Sequence, residues 1–110
     1  MPREPMGLLQ GTLDVLVLQA LSRGPLHGYA VSLWVHERTR GTLQIEDAPL
    51  YKALHRLEHD GSVEAEWGLS ENNRRARYYR LTTAGRQRLR QDAKAWRRYA
   101  AAVSAVLDPS

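Results

Sequence analysis

The chain has 110 residues, no cysteine and a formal net charge of +4, which is one domain's worth of sequence and excludes disulfides, thiolate metal sites and a cysteine nucleophile. Its longest apolar runs fall far short of a membrane span and Met1 to Pro5 lacks the apolar segment of a signal peptide, so a soluble cytoplasmic protein with no membrane partner is expected. Residues 1–70 hold six Lys/Arg against nine Asp/Glu while residues 71–110 hold ten against three, a local positive field that attracts polyanions, nucleic acid foremost.

After a frayed start, Leu8, Leu9, Leu13, Leu16, Val17, Ala20 and Leu21 form a helical stripe to Ser22, with Thr12 and Asp14 expected on its outer face. Arg23, Gly24 and Pro25 break that helix. His27 can cap a second helix running to about Arg40, with Tyr29, Ala30, Leu33 and Trp34 recurring along it and Gly41 closing it. Thr42 to Ile45 reads as a short extended connector.

A third helix spans Glu46 to Asp60. Leu50, Leu54 and Leu57, with Ala53, make one apolar stripe, and Tyr51, Lys52, His55, Arg56 and His59 fill the other side. Asp47 is the expected N-cap, Pro49 is tolerable in the first turn, and Gly61 fits the C-terminal cap. A helix that buries leucines and exposes Tyr, Lys, His and Arg suits a major groove, because those groups reach base edges and phosphates.

From Ser62 the period changes to two. Val63, Ala65 and Trp67 alternate with Glu64 and Glu66, predicting a strand with one buried face. A polar loop is expected from Gly68, with Asn72, Asn73, Arg74 and Arg75 at its tip, before a second, antiparallel strand over Ala76 to Leu81. Thr82 or Thr83 can cap a last helix, on which Leu89, Ala93, Trp96, Ala100, Val103 and Leu107 follow at spacings of 4, 3, 4, 3 and 4. That heptad seam predicts a homodimer through those six residues. The fold class is therefore mainly α with a β-hairpin: a winged helix-turn-helix plus a C-terminal dimerisation helix.

The stretches LLQGTLDVLVLQAL, GPLHGYAV, LYKALHRLEHDG and ENNRRARYYRLTTAG together resemble the PadR family of bacterial transcriptional regulators, in its short branch that ends in a single dimerising helix. The resemblance implies a repressor that binds double-stranded DNA as a dimer. It implies a flexible arm over 1–7, a winged helix-turn-helix DNA-binding domain over 8–82, a dimerisation helix over 83–107 and a flexible tail over 108–110. Carried over by residue, it puts Tyr51, Lys52, His55 and Arg56 on the reading helix, Asn73, Arg74 and Arg75 on the wing, and His27, Gly28 and Tyr29 near the phosphates. Pro49 departs from the Ser or Thr that many members carry, removing a backbone donor and a hydroxyl. Some members bind planar aromatic compounds between the dimer's helices, which implies a small planar aromatic effector on Trp96.

Two other classes are open at this point. His55-Arg56-Leu57-Glu58-His59 reads as H-x-x-E-H, a zinc-peptidase pattern that puts both imidazoles on one helix face, although the short chain offers no evident third ligand. A dimeric interaction module that binds an acidic protein rather than DNA fits the same charge pattern. With no serine elbow or glycine-rich phosphate loop, no enzyme activity, metal or cofactor is expected.

Overall fold

The computed structural model describes residues 6–108. Residues 1–5 of the expected arm and 109–110 of the expected tail lie outside them, as do the side chains of Leu8 and Leu9. Helix α1 is Met6–Ala20, followed by a 3-10 turn, Leu21–Arg23; then come a short strand β1, Leu26–His27, and helices α2, Gly28–Arg38, and α3, Asp47–His59. Strands β2, Val63–Leu69, and β3, Arg75–Leu81, form the hairpin, and α4, Thr83–Leu107, ends the chain. The order of elements is that of a winged helix-turn-helix with an appended helix, mostly helical around one small antiparallel sheet.

The core lies where α1, α2, α3 and the base of the sheet meet. Val17, Leu18, Val31, Leu50, Ala53, Leu54 and Leu57 have no exposed surface, and full burial of each leucine contributes about 1.5–3 kcal/mol over exposure. All four apolar positions expected of α3 are inside. Its first intrahelical bond runs from the Leu50 amide to the Glu46 carbonyl at 3.1 Å, so Pro49 lacks only a donor that would have had no partner in the helix. Glu46, rather than the expected Asp47, is the N-cap residue and its side chain makes no capping bond; Asp47 is the first helical residue, where its charge complements the helix dipole. At the other end Gly61 sits at φ +83°, with the Ser62 amide bonded to Leu57 O and the Gly61 amide to Glu58 O, a Schellman ending.

Four expectations are corrected by packing. On α2 the buried positions are Gly28, Val31 and Val35, while Tyr29 is 69% exposed and Leu33 39%. The rotation of α2 is set by the strand just before it: Leu26 pairs with Tyr79 and His27 with Tyr78, giving a three-stranded sheet in the order β1-β3-β2 where a two-stranded hairpin was expected. The wing strand also runs on through Gly68 to Leu69, because the bare glycine lets the Tyr78 ring lie across it; a Cβ there would be 3.1 Å from the ring.

Asp14 is the fourth correction. It is buried, not outward, and binds two arginines from different helices: Arg56 of α3 through one carboxylate oxygen and Arg88 of α4 through the other, the latter at 3.0 Å. Arg88 further bonds Asp60 at 2.7 Å and Asp92 at 3.1 Å. Burial works against the Arg88 charge, but the Asp92 hydrogen bond and the attraction of Asp14, Asp92 and Asp60 outweigh it and raise its pKa.

Removing the shared carboxylate leaves Arg56 without its ion pair and Arg88 with Asp60 and Asp92 alone, so the link from α1 to the other two helices is lost. Because both retain some solvent access, the cost should fall below that of a fully buried broken pair: Asp14→Asn is expected to lose about 2 kcal/mol. A urea titration checks this, with a lower midpoint at an unchanged slope expected; an unchanged midpoint would show that the network does not hold the helices together.

Candidate nucleic-acid interface

The start of α2 is built by His27. Its Nδ1 accepts a hydrogen bond from the Ala30 amide at 3.2 Å, which in the neutral ring leaves the hydrogen on Nε2. The ring stands edge-on to Tyr78 at 5.3 Å and stacks at 6.5 Å from Tyr29. Gly28 is buried because the Tyr51 ring of α3 lies on it: a Cβ there would come within 2.6 Å of the Tyr51 hydroxyl. The first amides of α2 therefore sit beside an aromatic cluster, and a helix N-terminus favours an anion.

On α3 the four cationic or aromatic positions diverge. Tyr51 turns to Gly28 and the wing, while Lys52 and His55 are exposed. Arg56, expected as a base-reading side chain, is held on the α1 side by Asp14. The H-x-x-E-H residues do not assemble a metal site: Glu58 is bonded to Arg77 at 2.8 Å, and no group of three metal-binding side chains occurs among the described residues.

The wing turns tightly at Ser70 to Arg74. The Ser70 amide bonds Arg74 O at 2.8 Å, the Asn73 amide bonds Ser70 O at 2.9 Å, and Asn73 takes the left-handed conformation at φ +62° that asparagine tolerates. A groove of about 460 Å³ separates the wing from the helices, lined by His27, Gly28, Tyr29, Tyr51, Asn72, Arg74 and Arg75 together with Trp67 and Arg77, with Ser70, Glu71 and Ala76 completing its wing side. Seven of these lie in the stretches to which the sequence points separately for the second helix, the third helix and the wing tip. Trp67 and Arg77 were not among them. The strand alternation puts Trp67 on the buried face, yet it is 57% exposed with the Arg75 guanidinium 4.5 Å from its ring centre. Continuing the strand alternation one pair beyond the core would have found this. Below the groove, burial raises the Tyr79 pKa, with the Arg77 charge opposing and Glu58 reinforcing the shift.

The six heptad residues of α4 divide. Leu89 packs against the chain's own core, and the Trp96 indole N–H donates to the Thr12 hydroxyl at 3.2 Å. Beyond Ala100, residues 101–108 are all exposed, including Val103 at 38% and Leu107 at 71%.

Comparison with known proteins agrees with this architecture. The profile of the "Transcriptional regulator PadR-like family" matches residues 17–91. A protein of Lysinibacillus sphaericus described as "Uncharacterized protein X" is 32% identical over 89 residues, 81% of this chain and 82% of that one. Among solved structures, a transcriptional regulator from Clostridium thermocellum superposes with a TM-score of 0.83 at 26% identity, covering 93% of this chain and 99% of that one. A PadR family transcriptional regulator from Eggerthella lenta gives a TM-score of 0.76 at 31% identity, over 96% of this chain and 89% of its own.

The Gly28 contact yields a test of the groove. Gly28→Ala forces the Tyr51 ring outward; since the clashing atoms are the tip of a partly exposed side chain, stability should fall by no more than about 1 kcal/mol. Affinity for duplex DNA should fall severalfold, and the same substitution in a Tyr51→Ala background should have little further effect. Thermal melts and fluorescence-anisotropy titrations read the two quantities; equal affinity before and after the change would separate Tyr51 from the interface.

Proposed function

The chain belongs to the PadR-like family of transcriptional regulators, which are DNA-binding proteins and not enzymes, and from that premise we propose that it represses transcription as a homodimer on a pseudo-palindromic operator. The observation that carries this reading is the groove that brings the start of α2, Tyr51 of α3 and the wing arginines onto one face. Next to it Lys52 and His55 stand exposed on a rigid 13-residue helix. In this reading α3 enters the major groove, with Lys52 and His55 reading base edges. Arg56, engaged with Asp14, supports the helix instead. The α2 amides with His27 hold a backbone phosphate, and Asn73, Arg74 and Arg75 reach the next stretch of backbone.

Dimerisation is supported by the far end of α4. A helix of 25 residues that ends in half-buried Ala100 and exposed Val103 and Leu107 presents an apolar stripe that a second copy would bury. Leu89 belongs to the chain's own core, so the proposed seam lies toward the C-terminal half, with Ala93 and Trp96 at its start. A planar aromatic effector is supported by a cleft of about 420 Å³ between α1, α2 and α4, lined by Trp34 and Trp96 and by Arg38 and Arg97, a volume in the usual range for small-molecule sites.

Sedimentation at micromolar concentration should give twice the chain mass, and Val103→Glu should reduce it to the single-chain mass; a wild-type monomer would overturn the dimer. Footprinting should then give two protected half-sites with centres about 34–36 Å apart.

Lys52→Ala should cost about 1–3 kcal/mol on the operator and much less on scrambled duplex. Arg74→Ala should weaken both duplexes alike and reduce the salt dependence by about one unit per lost phosphate contact. Gel shifts at several salt concentrations test this pair. A wild-type chain that retards no duplex at low salt would leave an acidic protein as the partner.

A further inference from the structure

Arg74 and Arg75 are adjacent in sequence but not equivalent in the hairpin. In the ladder Val63 pairs with Leu81, Ala65 with Tyr79, Trp67 with Arg77 and Leu69 with Arg75, so one face of the sheet runs from the core to the wing tip. Its first two pairs pack inside the molecule. In the third pair Arg77 still reaches back to Glu58 of α3, while the Trp67 indole is exposed, with Arg75 of the last pair stacked on it at 4.5 Å. Arg74 belongs to the turn, where its amide bonds the Ser70 hydroxyl.

The three arginines of β3 differ in what neutralises them. Arg77 is paired with Glu58, and Arg80 with Glu64 and Glu66. Arg75 forms no ion pair among the described residues and is oriented by an aromatic face alone. A π face fixes the plane of a guanidinium without cancelling its charge, and leaves the N–H edge open to an acceptor.

We propose that Trp67 is a positioning residue for DNA binding, whose indole holds Arg75 ready to donate to a backbone phosphate. This rests on the reading that the groove face meets DNA. Pre-orienting the side chain removes part of the ordering entropy otherwise lost on binding, so Arg75 contributes more than its charge, whereas Arg74 contributes as a charge.

The test is a double-mutant cycle in the full chain, using a duplex of the DNA flanking its gene and a scrambled duplex of equal length. Trp67→Leu is expected to weaken binding about threefold to fivefold, and Trp67→Phe, which keeps an aromatic face, to recover most of that. In an Arg75→Ala background Trp67→Leu should be silent; in an Arg74→Ala background its effect should persist in full. An equal loss in the Arg75→Ala background, or no loss in the wild-type background, overturns the proposal. A second readout needs no DNA: in ¹⁵N-labelled protein one indole N–H resonance should move on Arg75→Ala and stay in place on Arg74→Ala, and failure to move refutes the stack even if Trp67→Leu misfolds. A wild-type chain that binds neither duplex overturns the DNA reading, and the proposal with it. Binding by the wild type that Trp67→Leu leaves unchanged overturns the proposal alone.

Discussion

A single buried carboxylate decides how the helices of this protein sit. Asp14 projects from α1 to meet Arg56 of α3 and Arg88 of α4, and a charge in that position is tolerable only while both partners are in place. Hydrophobic burial draws the helices together but is not directional. The ion network supplies direction, because a carboxylate has two oxygens with separate bonding geometry and each is taken by a different helix. Arg88 carries the network on to Asp60, next to the end of α3, so α3 is gripped along its length and at its terminus.

That arrangement has a functional consequence for Arg56. A long cation on the polar side of a recognition helix is a natural base reader, yet its bond to Asp14 gives it an architectural task. The exposed side of α3 is left to Lys52 and His55, with Tyr51 turned onto Gly28. The scaffold therefore selects which of several equivalent-looking side chains is tied into the helix junction.

A second junction joins α3, the wing and α4. The Thr82 hydroxyl donates to Gly61 O at 2.6 Å and accepts from the Gly85 amide at 3.0 Å. Gly85 itself lies so close to Ser62 O that a Cβ would sit 2.0 Å from it, a spacing that only glycine permits. The turn after α3, the end of β3 and the first turn of α4 are thus one packed unit, so the direction of α4 and the orientation of α3 follow from the same few contacts.

The elements were legible in the amino-acid sequence because each depends on local physics. The leucine stripe of α3, the Thr82 cap, the glycine after α3 and the antiparallel hairpin follow from periodicity, capping chemistry and backbone preference, and the structure contains all of them. His27, Gly28, Tyr29, Tyr51, Arg74 and Arg75 of the groove could also be named individually, whereas Trp67 and Arg77 could not. What tertiary structure alone decided was orientation and partnership. The face α2 buries depends on the pairing of Leu26 and His27 with β3, partners more than fifty residues away. The inward turn of Asp14 depends on arginines 42 and 74 positions further along the chain. The difference between Arg74 and Arg75 depends on the register that sets Trp67 beside one and not the other. A one-dimensional pattern carries period and propensity, but it holds no information on which distant charge or ring will arrive at a given face.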